Sequence, residues 1–354
     1  MEEEYRNYID IIENNKRIVF KTLFLEITNQ CNYRCKHCYN CSGEFGIKEI
    51  SLGELKKILL DFVVHGIDSV VLSGGEALLH TKVWEFLELI QWYGLQITLL
   101  TNGKLLNETN INNLKKYNVY IQISLDGGTE KTNDFIRQSG SFADVISALD
   151  ILKKQNYLEN VSINTVLCHQ NQGEIGDIVN ICDKYPVSVL GFSLLNNMGQ
   201  APKNNLAIKD NELLEAIKII NNIDDTIHTN VKQIDVTKKC RFSTLEKEIF
   251  LTPVVDVYGN LYACEFLRDP MFSIGNVFEE RLDDILVNDA IKRILLLINI
   301  RRHFISKCHQ CGISSSCLSG CIVQNINNNY FEPQYCSYMK KSFLHDLGAE
   351  KNDY

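Results

Sequence analysis

The segment Cys31-Asn-Tyr-Arg-Cys35-Lys-His-Cys38 places three cysteines at CX3CX2C spacing, directly after the apolar run Leu23–Ile27. A short run of this kind is typical of a buried β-strand. Three thiolates at this spacing can bind three corners of a [4Fe–4S] cube, which leaves the fourth iron without a protein ligand. A zinc site would instead close with four ligands, usually arranged as two pairs. The segment therefore predicts an iron–sulfur site with one open iron at the mouth of the first β/α unit.

The overall composition is that of a globular protein. Hydrophobic residues make up 45% of the 354 residues and charged residues 23%, which excludes wholesale disorder. The formal net charge of −8 disfavours a nucleic-acid or anionic-membrane partner. The apolar run Ile294–Ile300 is far below the roughly 20 residues that span a bilayer. The start, Met1-Glu-Glu-Glu4, is acidic where a signal peptide is basic, so we expect a soluble cytoplasmic protein.

The cysteines are grouped rather than scattered. The chain has 13 of them, an odd number that fits poorly with a disulfide framework, which a reducing compartment also disfavours. Only Cys168 and Cys182 stand apart from the groups. The grouped cysteines are Cys31, Cys35, Cys38, Cys41, Cys240, Cys264, Cys308, Cys311, Cys317, Cys321 and Cys336. This distribution indicates metal ligation rather than buried apolar thiols.

Short apolar runs alternate with amphipathic ones from residue 23 to about residue 195. The predicted strands are Leu23–Ile27, Ser69–Leu72, Gln96–Leu100, Val119–Ile123, Val161–Leu167 and Val187–Leu194. The predicted helices between them include Leu55–Val64, Lys82–Tyr93, Asn107–Tyr117 and Phe142–Lys154. Strands so rich in Val, Ile and Leu are expected to be buried on both faces of a parallel sheet. The pattern predicts an α/β fold, a partial (β/α)6 TIM-like barrel with its chemistry at the carboxyl ends of the strands.

A polar, asparagine-rich stretch from Asn196 to Asn205 interrupts this alternation, and a helix is predicted at Asn211–Asn222. Further on, a hairpin is predicted from Phe250–Val257 and Leu261–Glu265, followed by a helix at Leu282–Ile298. These elements predict a small α+β domain that carries the second group of cysteines. The predicted ranges are 1–20 for an N-terminal extension, 21–195 for the barrel, 196–239 for a connection, 240–345 for the second domain and 346–354 for a tail.

The cysteine segment followed by Tyr39, together with Ser73-Gly74-Gly75-Glu76 after the second strand, resembles the radical S-adenosylmethionine enzymes. The resemblance implies that the open iron chelates the amino and carboxylate groups of S-adenosylmethionine. One electron then cleaves the C–S bond and yields a 5′-deoxyadenosyl radical, which abstracts a hydrogen atom from the substrate.

The resemblance also implies contacts with this cofactor. Tyr39 would lie along the adenine, Gly74 and Gly75 would let the backbone approach the methionine moiety, and Glu76 would receive its ammonium group. Without the cysteines before it, a Gly-Gly-Glu turn is common loop chemistry.

Three more residues follow later strands or helices. Asn102 and Ser124, the latter in Ser124-Leu-Asp-Gly127, resemble the ribose and carboxylate contacts, and Arg137 resembles the arginine that holds the carboxylate. Taken alone, Asn102 is explained by its Thr-Asn-Gly turn, and Ser124 and Arg137 by a turn and a surface position.

The second group of cysteines is similar to the SPASM domain of the same superfamily, which carries two auxiliary iron–sulfur clusters. The resemblance rests on Gly259-x4-Cys264 and on the CX2CX5CX3C run, for which a zinc ribbon is the main competing interpretation. It implies a distal cluster held by Cys308, Cys311, Cys317 and Cys336. It also implies a nearer cluster held by Cys240, Cys264 and Cys321, whose fourth iron site has no evident ligand.

Two further residues are candidates for catalysis. Cys168 follows the fifth strand and could donate a hydrogen atom to a substrate radical, although a structural thiol explains it too. Glu265 is placed like the acid that serves as a base in the sulfatase-maturating branch of the family, although it could be a solvated hairpin residue. Cys41 and Cys182 are predicted to be structural.

The resemblance to SPASM enzymes favours a maturase of a ribosomally made peptide, which forms a crosslink or thioether or epimerises a residue. The alternative is an anaerobic sulfatase-maturating enzyme that converts Cys or Ser to formylglycine, and a third class is a non-catalytic iron–sulfur electron carrier. An intact Gly-Gly-Glu motif and Arg137 argue against a carrier. Expected partners are a peptide or protein substrate, an external flavodoxin- or ferredoxin-type electron donor and a separate leader-peptide-binding protein.

Overall fold

The fold is described from a computed structural model of the chain. The described residues are 17–44, 46–195, 198–223, 228–232, 248–265, 267–300, 305–314, 326–327, 330–331 and 336. Three of the predicted cluster ligands, Cys240, Cys317 and Cys321, lie outside these ranges. Within them, no helix combines the length and the apolar character needed to cross a membrane.

Six parallel strands in chain order form the centre of the protein. They are β2 (Thr22–Thr28), β3 (Ser69–Gly74), β4 (Gln96–Thr101), β5 (Tyr120–Ser124), β6 (Val161–Leu167) and β7 (Val189–Leu194), after a short β1 (Arg17–Val19). Each strand pairs in parallel with the next, from β2 to β7. This arrangement confirms the predicted α/β class and the (β/α)6 order.

Helices connect these strands. They are α1 (Leu52–Val64), α2 (Val83–Trp92), α3 (Glu108–Lys116), α4 (Glu130–Ile136), α5 (Ser141–Lys154), α6 (Ile175–Lys184) and α7 (Asp210–Asn221). The predicted capping box is present at α1, where Ser51 accepts from the Glu54 N–H and the Glu54 side chain accepts from the Ser51 N–H. Helix α4 was not predicted, because its seven residues carry few apolar repeats.

The two faces of the sheet differ. Residues that face the helices are fully buried and apolar, for example Leu23 and Leu25 on β2 and Ile121 and Ile123 on β5. They pack with the buried stripes of the helices into one hydrophobic core. Alternate residues point to the inside of the barrel and are half-buried on β4 and β5. The prediction that both faces of every strand are buried is therefore wrong for the inner faces of β4 and β5.

The second domain continues the barrel sheet. The later elements are β8 (Asn230–Val231), β9 (Glu248–Phe250), β10 (Val254–Val255), β11 (Asn260–Tyr262), β12 (Ser273–Asn276), α8 (Leu282–Ile285), α9 (Asp289–Ile300), α10 (Ser306–His309), β13 (Ile326–Asn327) and β14 (Tyr330–Phe331). Strand β10 pairs in parallel with β2, and β11 and β12 extend it antiparallel. At the other edge, β8 pairs with β7, while β1 pairs with β9. The predicted hairpin is thus real but shorter, and it is joined to the barrel.

The predicted helix Leu282–Ile298 is divided in two. Helix α8 ends near Leu286, and α9 begins after Asn288. The Asn288 side chain accepts a hydrogen bond from the Ile291 N–H at 3.0 Å, which caps the new helix. It also donates to the carbonyl oxygen of Ile274 on β12 at 2.6 Å. The apolar spacing correctly predicted helical structure here. It did not predict the break at Asn288, whose side chain caps the second helix.

Two adjacent leucines in α1 test the assignment of the core. Leu59 is fully buried and Leu60 is 53% exposed. We expect Leu59→Ala to lower the free energy of unfolding by about 2–5 kcal/mol, because it leaves a cavity in the core. Leu60→Ala should change it by less than about 0.5 kcal/mol. Urea unfolding measures both, and equal effects of the two substitutions would contradict the packing of α1.

Candidate active site

The three cysteines of the CX3CX2C segment lie together at the mouth of the barrel. Cys31, Cys35 and Cys38 line one cavity of about 460 Å³ at the carboxyl ends of the strands, and none of them is in a disulfide. Among the described residues, no three Cys, His, Asp or Glu side chains converge closely enough to hold a single metal ion. In a [4Fe–4S] cube each thiolate binds a different iron, so its ligands need not converge on one point. The donor set fits a cube better than a zinc ion.

The cysteine loop is fixed by the Gly-Gly-Glu turn after β3. The Gly75 N–H donates to the Thr28 carbonyl oxygen at 2.8 Å, and the Glu76 N–H donates to the Gln30 carbonyl oxygen at 2.8 Å. A Cβ atom on Gly75 would lie 2.2 Å from the Gln30 oxygen. Gly74 has a φ of +128°, and a Cβ there would lie 2.1 Å from the Thr28 oxygen. Both glycines are therefore required by the contact between the turn and the loop, and both also line the cavity.

The side chain of Glu76 takes a different position from the one that its predicted role requires. It is buried, and its carboxylate accepts hydrogen bonds from the Thr101 hydroxyl and the Asn102 N–H, both at 2.9 Å. Burial raises the pKa of Glu76, and these hydrogen bonds oppose the increase. Glu76 is not among the residues that line the cavity. In this structure it ties β3 to the end of β4 instead of presenting its carboxylate to a ligand.

A buried aspartate organises the other side of the mouth. Asp126 is fully buried, with Arg137 Nε 2.6 Å and His37 Nε2 3.0 Å from its Oδ2, while its Oδ1 accepts from the Val166 N–H at 2.8 Å. Burial alone would raise the pKa of Asp126, but Arg137 and His37 lower it to about 2. Asp126 therefore remains a carboxylate that holds His37, which lies within the cysteine segment.

Further contacts close the loop against the barrel. The Asn102 side chain donates to Asn32 Oδ1 at 2.7 Å, and the Tyr33 hydroxyl donates to Asp144 Oδ2 at 2.6 Å. The Arg34 guanidinium donates to the carbonyl oxygens of Cys31 and Gly43, at 2.9 and 2.7 Å. The residues between the cysteines are thus used to hold the loop, which keeps the three thiols turned towards the cavity.

Burial disfavours the thiolate forms of Cys31 and Cys35. Burial raises the pKa of Cys31, and it raises the pKa of Cys35 to about 12, against the opposing effect of Arg137. A thiolate is the form that binds iron, so ligation would release protons from these groups. A bound iron would therefore favour the ionised forms of Cys31 and Cys35.

Most of the predicted cofactor contacts come together in the same cavity. Its lining includes Tyr39, Gly74, Gly75, Asn102, Ser124, Arg137 and Glu265. Cys168 does not line it: the thiol is 1% exposed and packs in an apolar cluster with Ile136 and Leu195. The predicted hydrogen-donor role of Cys168 is therefore at odds with its placement, because its side chain is buried among apolar residues.

A second ion pair joins the two domains, and it was not predicted. Glu26 on β2 lies 2.7 Å from Arg268 Nη2, and both side chains are 7% exposed. Glu26 also accepts from the Asn40 side chain at 2.7 Å, while the Arg268 guanidinium lies 4.6 Å from the centre of the Tyr262 ring. The two charged residues are 242 positions apart, so no local spacing could have indicated the pair. The contact between His37 and Asp126 was not predicted, because these residues are also far apart in the sequence.

The described members of the second cysteine group are Cys264, Cys308, Cys311 and Cys336. Cys264 precedes Glu265, which lines the cavity, so a cluster bound there would be adjacent to the active site. Cys308 and Cys311 share a turn in which the Cys311 N–H donates to the Cys308 carbonyl oxygen at 3.2 Å. The positions of Cys240, Cys317 and Cys321 lie outside the described residues, so their assignments stay predictions.

Two family models match the chain: the Radical SAM superfamily over residues 25–182, and the SPASM iron-sulfur cluster-binding domain over residues 249–312. The chain belongs to the radical S-adenosylmethionine superfamily and carries a SPASM domain. It is therefore an enzyme rather than a simple electron carrier, and its cofactors are [4Fe–4S] clusters and S-adenosylmethionine.

The curated relatives match most of the chain. The antilisterial bacteriocin subtilosin biosynthesis protein AlbA of Bacillus subtilis is 24% identical over 333 residues, which cover 91% of this chain and 72% of AlbA. The mycofactocin maturase MftC of Mycobacterium ulcerans is 25% identical over 322 residues, which cover 84% of this chain and 82% of MftC. Streptococcus suis SuiB bound to S-adenosylmethionine has a similar fold, with a TM-score of 0.73, 16% identity and coverage of 94% and 81%.

The glycine contact gives a test of how the cluster loop is held. Gly75→Ala must displace the Gln30 carbonyl and with it Cys31, so we expect the reconstituted protein to lose about four irons per chain. Gly173→Ala is the matched control, because a Cβ there meets no atom within 4 Å. Anaerobic iron analysis measures both. A full iron content in Gly75→Ala would contradict the role of this contact.

Proposed function

We propose that the protein is a radical S-adenosylmethionine maturase that oxidatively modifies a ribosomally made peptide. The observation that supports this most directly is the single cavity that gathers three thiols, the contacts expected for S-adenosylmethionine and an open barrel interior. Relatives named for the biosynthesis of subtilosin and mycofactocin, matched over more than two thirds of their own lengths, support a peptide as the substrate.

The chain's own residues divide the work of binding. Cys31, Cys35 and Cys38 would hold a [4Fe–4S] cluster. When bound there, the cluster would supply the electron that cleaves S-adenosylmethionine. Tyr39 would lie along the adenine. The Nε of Arg137 forms an ion pair with Asp126, and its other N–H groups would bind the carboxylate of the methionine moiety.

Asn102 and Ser124 line the cavity beside Arg137 and would contact the ribose. The Gly74 and Gly75 backbone, which lines the same cavity, would approach the methionine moiety. We do not assign the ammonium group to Glu76, because its side chain is buried and does not line the cavity.

The second domain would take part in the oxidation of the peptide by receiving an electron and a proton. A peptide oxidation releases a second electron, and a cluster at Cys264 would lie next to Glu265 at the cavity. Glu265 would be the base that takes the substrate proton, since it is a carboxylate facing the same space. We propose an external flavodoxin- or ferredoxin-type protein as the electron donor and a separate protein that binds the leader peptide. A reducing cytoplasm would suit all of these clusters.

The sulfatase-maturating alternative is less well supported. It rested on Glu265, which a peptide maturase can use equally as a base. The curated relatives AlbA and MftC, and the sporulation killing factor maturation protein SkfB over 160 residues, are named for peptide-derived products. None of these observations therefore favours the conversion of Cys or Ser to formylglycine over the maturation of a peptide.

One substitution tests the cofactor chemistry without a peptide. Cys35→Ala should abolish the formation of 5′-deoxyadenosine under dithionite, because two thiolates cannot hold the cube in place. Cys182→Ala is the matched control, since Cys182 is buried in α6 away from the cavity. Chromatography of the nucleoside products measures both. Cleavage of S-adenosylmethionine by Cys35→Ala at the normal rate would refute the assignment.

The substrate class is tested by mass spectrometry. The reduced enzyme is incubated anaerobically with S-adenosylmethionine and each short peptide encoded near its gene, and with a sulfatase peptide that carries the Cys or Ser to be oxidised. A loss of about 2 Da from an encoded peptide is expected for a crosslink, since two hydrogen atoms leave. Deuterium uptake from D2O without this loss would indicate epimerisation. Modification of the sulfatase peptide alone would overturn the proposal.

A further inference from the structure

The inside of the barrel is unusually polar. In closed β/α barrels the inward positions are filled with bulky branched side chains that pack into layers. Here many inward positions are uncharged and polar, and they line the cavity together with the cysteines. These positions are Ser73, Thr98, Gln122, Ser124, Asn164 and Ser193. Side chains of this kind leave the interior open and offer hydrogen bonds to whatever enters it.

The amide of Asn164 on β6 has a fixed orientation. The Ser193 hydroxyl on β7 donates to Asn164 Oδ1 at 2.9 Å, so the oxygen of the amide is occupied. Gly191 pairs with Asn164 across the two strands, and its missing side chain keeps the space beside this amide free. Among the described residues, no group accepts a hydrogen bond from Asn164 Nδ2. Asn164 therefore presents a donor to the cavity.

Gln122 on β5 offers the complementary groups. It lines the cavity and is half-buried, and its amide makes no hydrogen bond with the described residues. Its neighbours across the sheet are Leu100 on β4 and Ser162 on β6, which leave both ends of the amide available. Gln122 can therefore donate and accept at once, beside the donor of Asn164.

The charges around this space are largely compensated in pairs. Arg137 is 2.6 Å from Asp126, and Glu26 is 2.7 Å from Arg268. A ligand that binds by the amides thus meets neutral donors and acceptors rather than an uncompensated arginine. The main chain of a peptide has this character, with an uncharged N–H donor and a C=O acceptor at each residue.

We propose that Gln122 and Asn164 are substrate-binding residues that bind the main-chain peptide groups of the substrate residue inside the barrel. Asn164 Nδ2 donates to a substrate carbonyl oxygen, and the Gln122 amide accepts from a substrate N–H. The substrate is then recognised by its backbone, so that the residue that loses hydrogen is held in position whatever its side chain. This proposal rests on the proposed function, because it assumes that the substrate is a peptide.

The test uses the encoded peptide that changes mass in the preceding assay, and three variants of the full-length, reconstituted enzyme. Gln122→Leu and Asn164→Leu each remove one amide at similar volume. Gln96→Leu is the matched control, because Gln96 is exposed at the opposite end of the barrel. Each enzyme is assayed for S-adenosylmethionine affinity, for peptide affinity by anaerobic fluorescence anisotropy, and for modified peptide formed per 5′-deoxyadenosine.

Each amide variant should bind the peptide about 10-fold more weakly, as expected for one lost hydrogen bond in a site of this kind. It should also form less modified peptide per 5′-deoxyadenosine, because a loosely held residue is missed by the radical. S-Adenosylmethionine affinity and cleavage without peptide should match those of Gln96→Leu and of the unchanged enzyme. A peptide in which the reacting residue is N-methylated should bind weakly to the unchanged enzyme and lose little further affinity in Gln122→Leu.

Three outcomes would overturn the proposal. If both variants bind and modify the peptide normally, the amides do not recognise it, although the proposed function stands. If the variants instead lose affinity for S-adenosylmethionine without peptide, the amides belong to the cofactor site. If no encoded peptide is modified by the unchanged enzyme, the proposed function fails first, and this inference fails with it.

Discussion

The architecture of the active site depends on the hydrogen bonds that join the cysteine loop to the turn after β3. The carbonyl oxygens of Thr28 and Gln30 accept from the Gly75 and Glu76 N–H groups at 2.8 Å. The Glu76 carboxylate then holds the start of the turn after β4, where Asn102 donates back to Asn32 in the loop at 2.7 Å. This closed circuit of contacts holds the loop in the position that turns the three thiols towards the cavity.

Buried ion pairs also hold the walls of the cavity together. A carboxylate without exposure to water is costly unless it is paired, and Asp126 is paired with Arg137 while it also contacts His37. The Glu26–Arg268 pair does the same at the boundary with the second domain, where β10 is also hydrogen-bonded to β2. The barrel and the early part of the SPASM domain therefore form one wall around the cavity. Glu265 and its neighbour Cys264, a predicted cluster ligand, are held near the cavity as a consequence.

The sequence predicted the elements whose signals are local. All six barrel strands were found with bounds close to the observed ones, because their apolar runs are short and end at turn residues. The cysteine spacing also located the site. Contacts between distant positions could not be read in this way: Glu26 with Arg268 and His37 with Asp126 depend on the folded topology. The Gly-Gly-Glu motif did not predict the contacts of the Glu76 side chain. Its carboxylate, expected to bind a ligand, accepts hydrogen bonds from Thr101 and Asn102.

The central claim is that Cys31, Cys35 and Cys38 hold a cube of their own, separate from the clusters of the second domain. Anaerobic iron analysis with Mössbauer spectroscopy of the reconstituted protein and of the triple alanine variant tests it most directly. The account predicts about 12 irons for the unchanged protein and about 8 for the variant, all in cubes, taking four irons for each. An unchanged iron content in the variant, or stoichiometric zinc in place of the C-terminal iron, would contradict it.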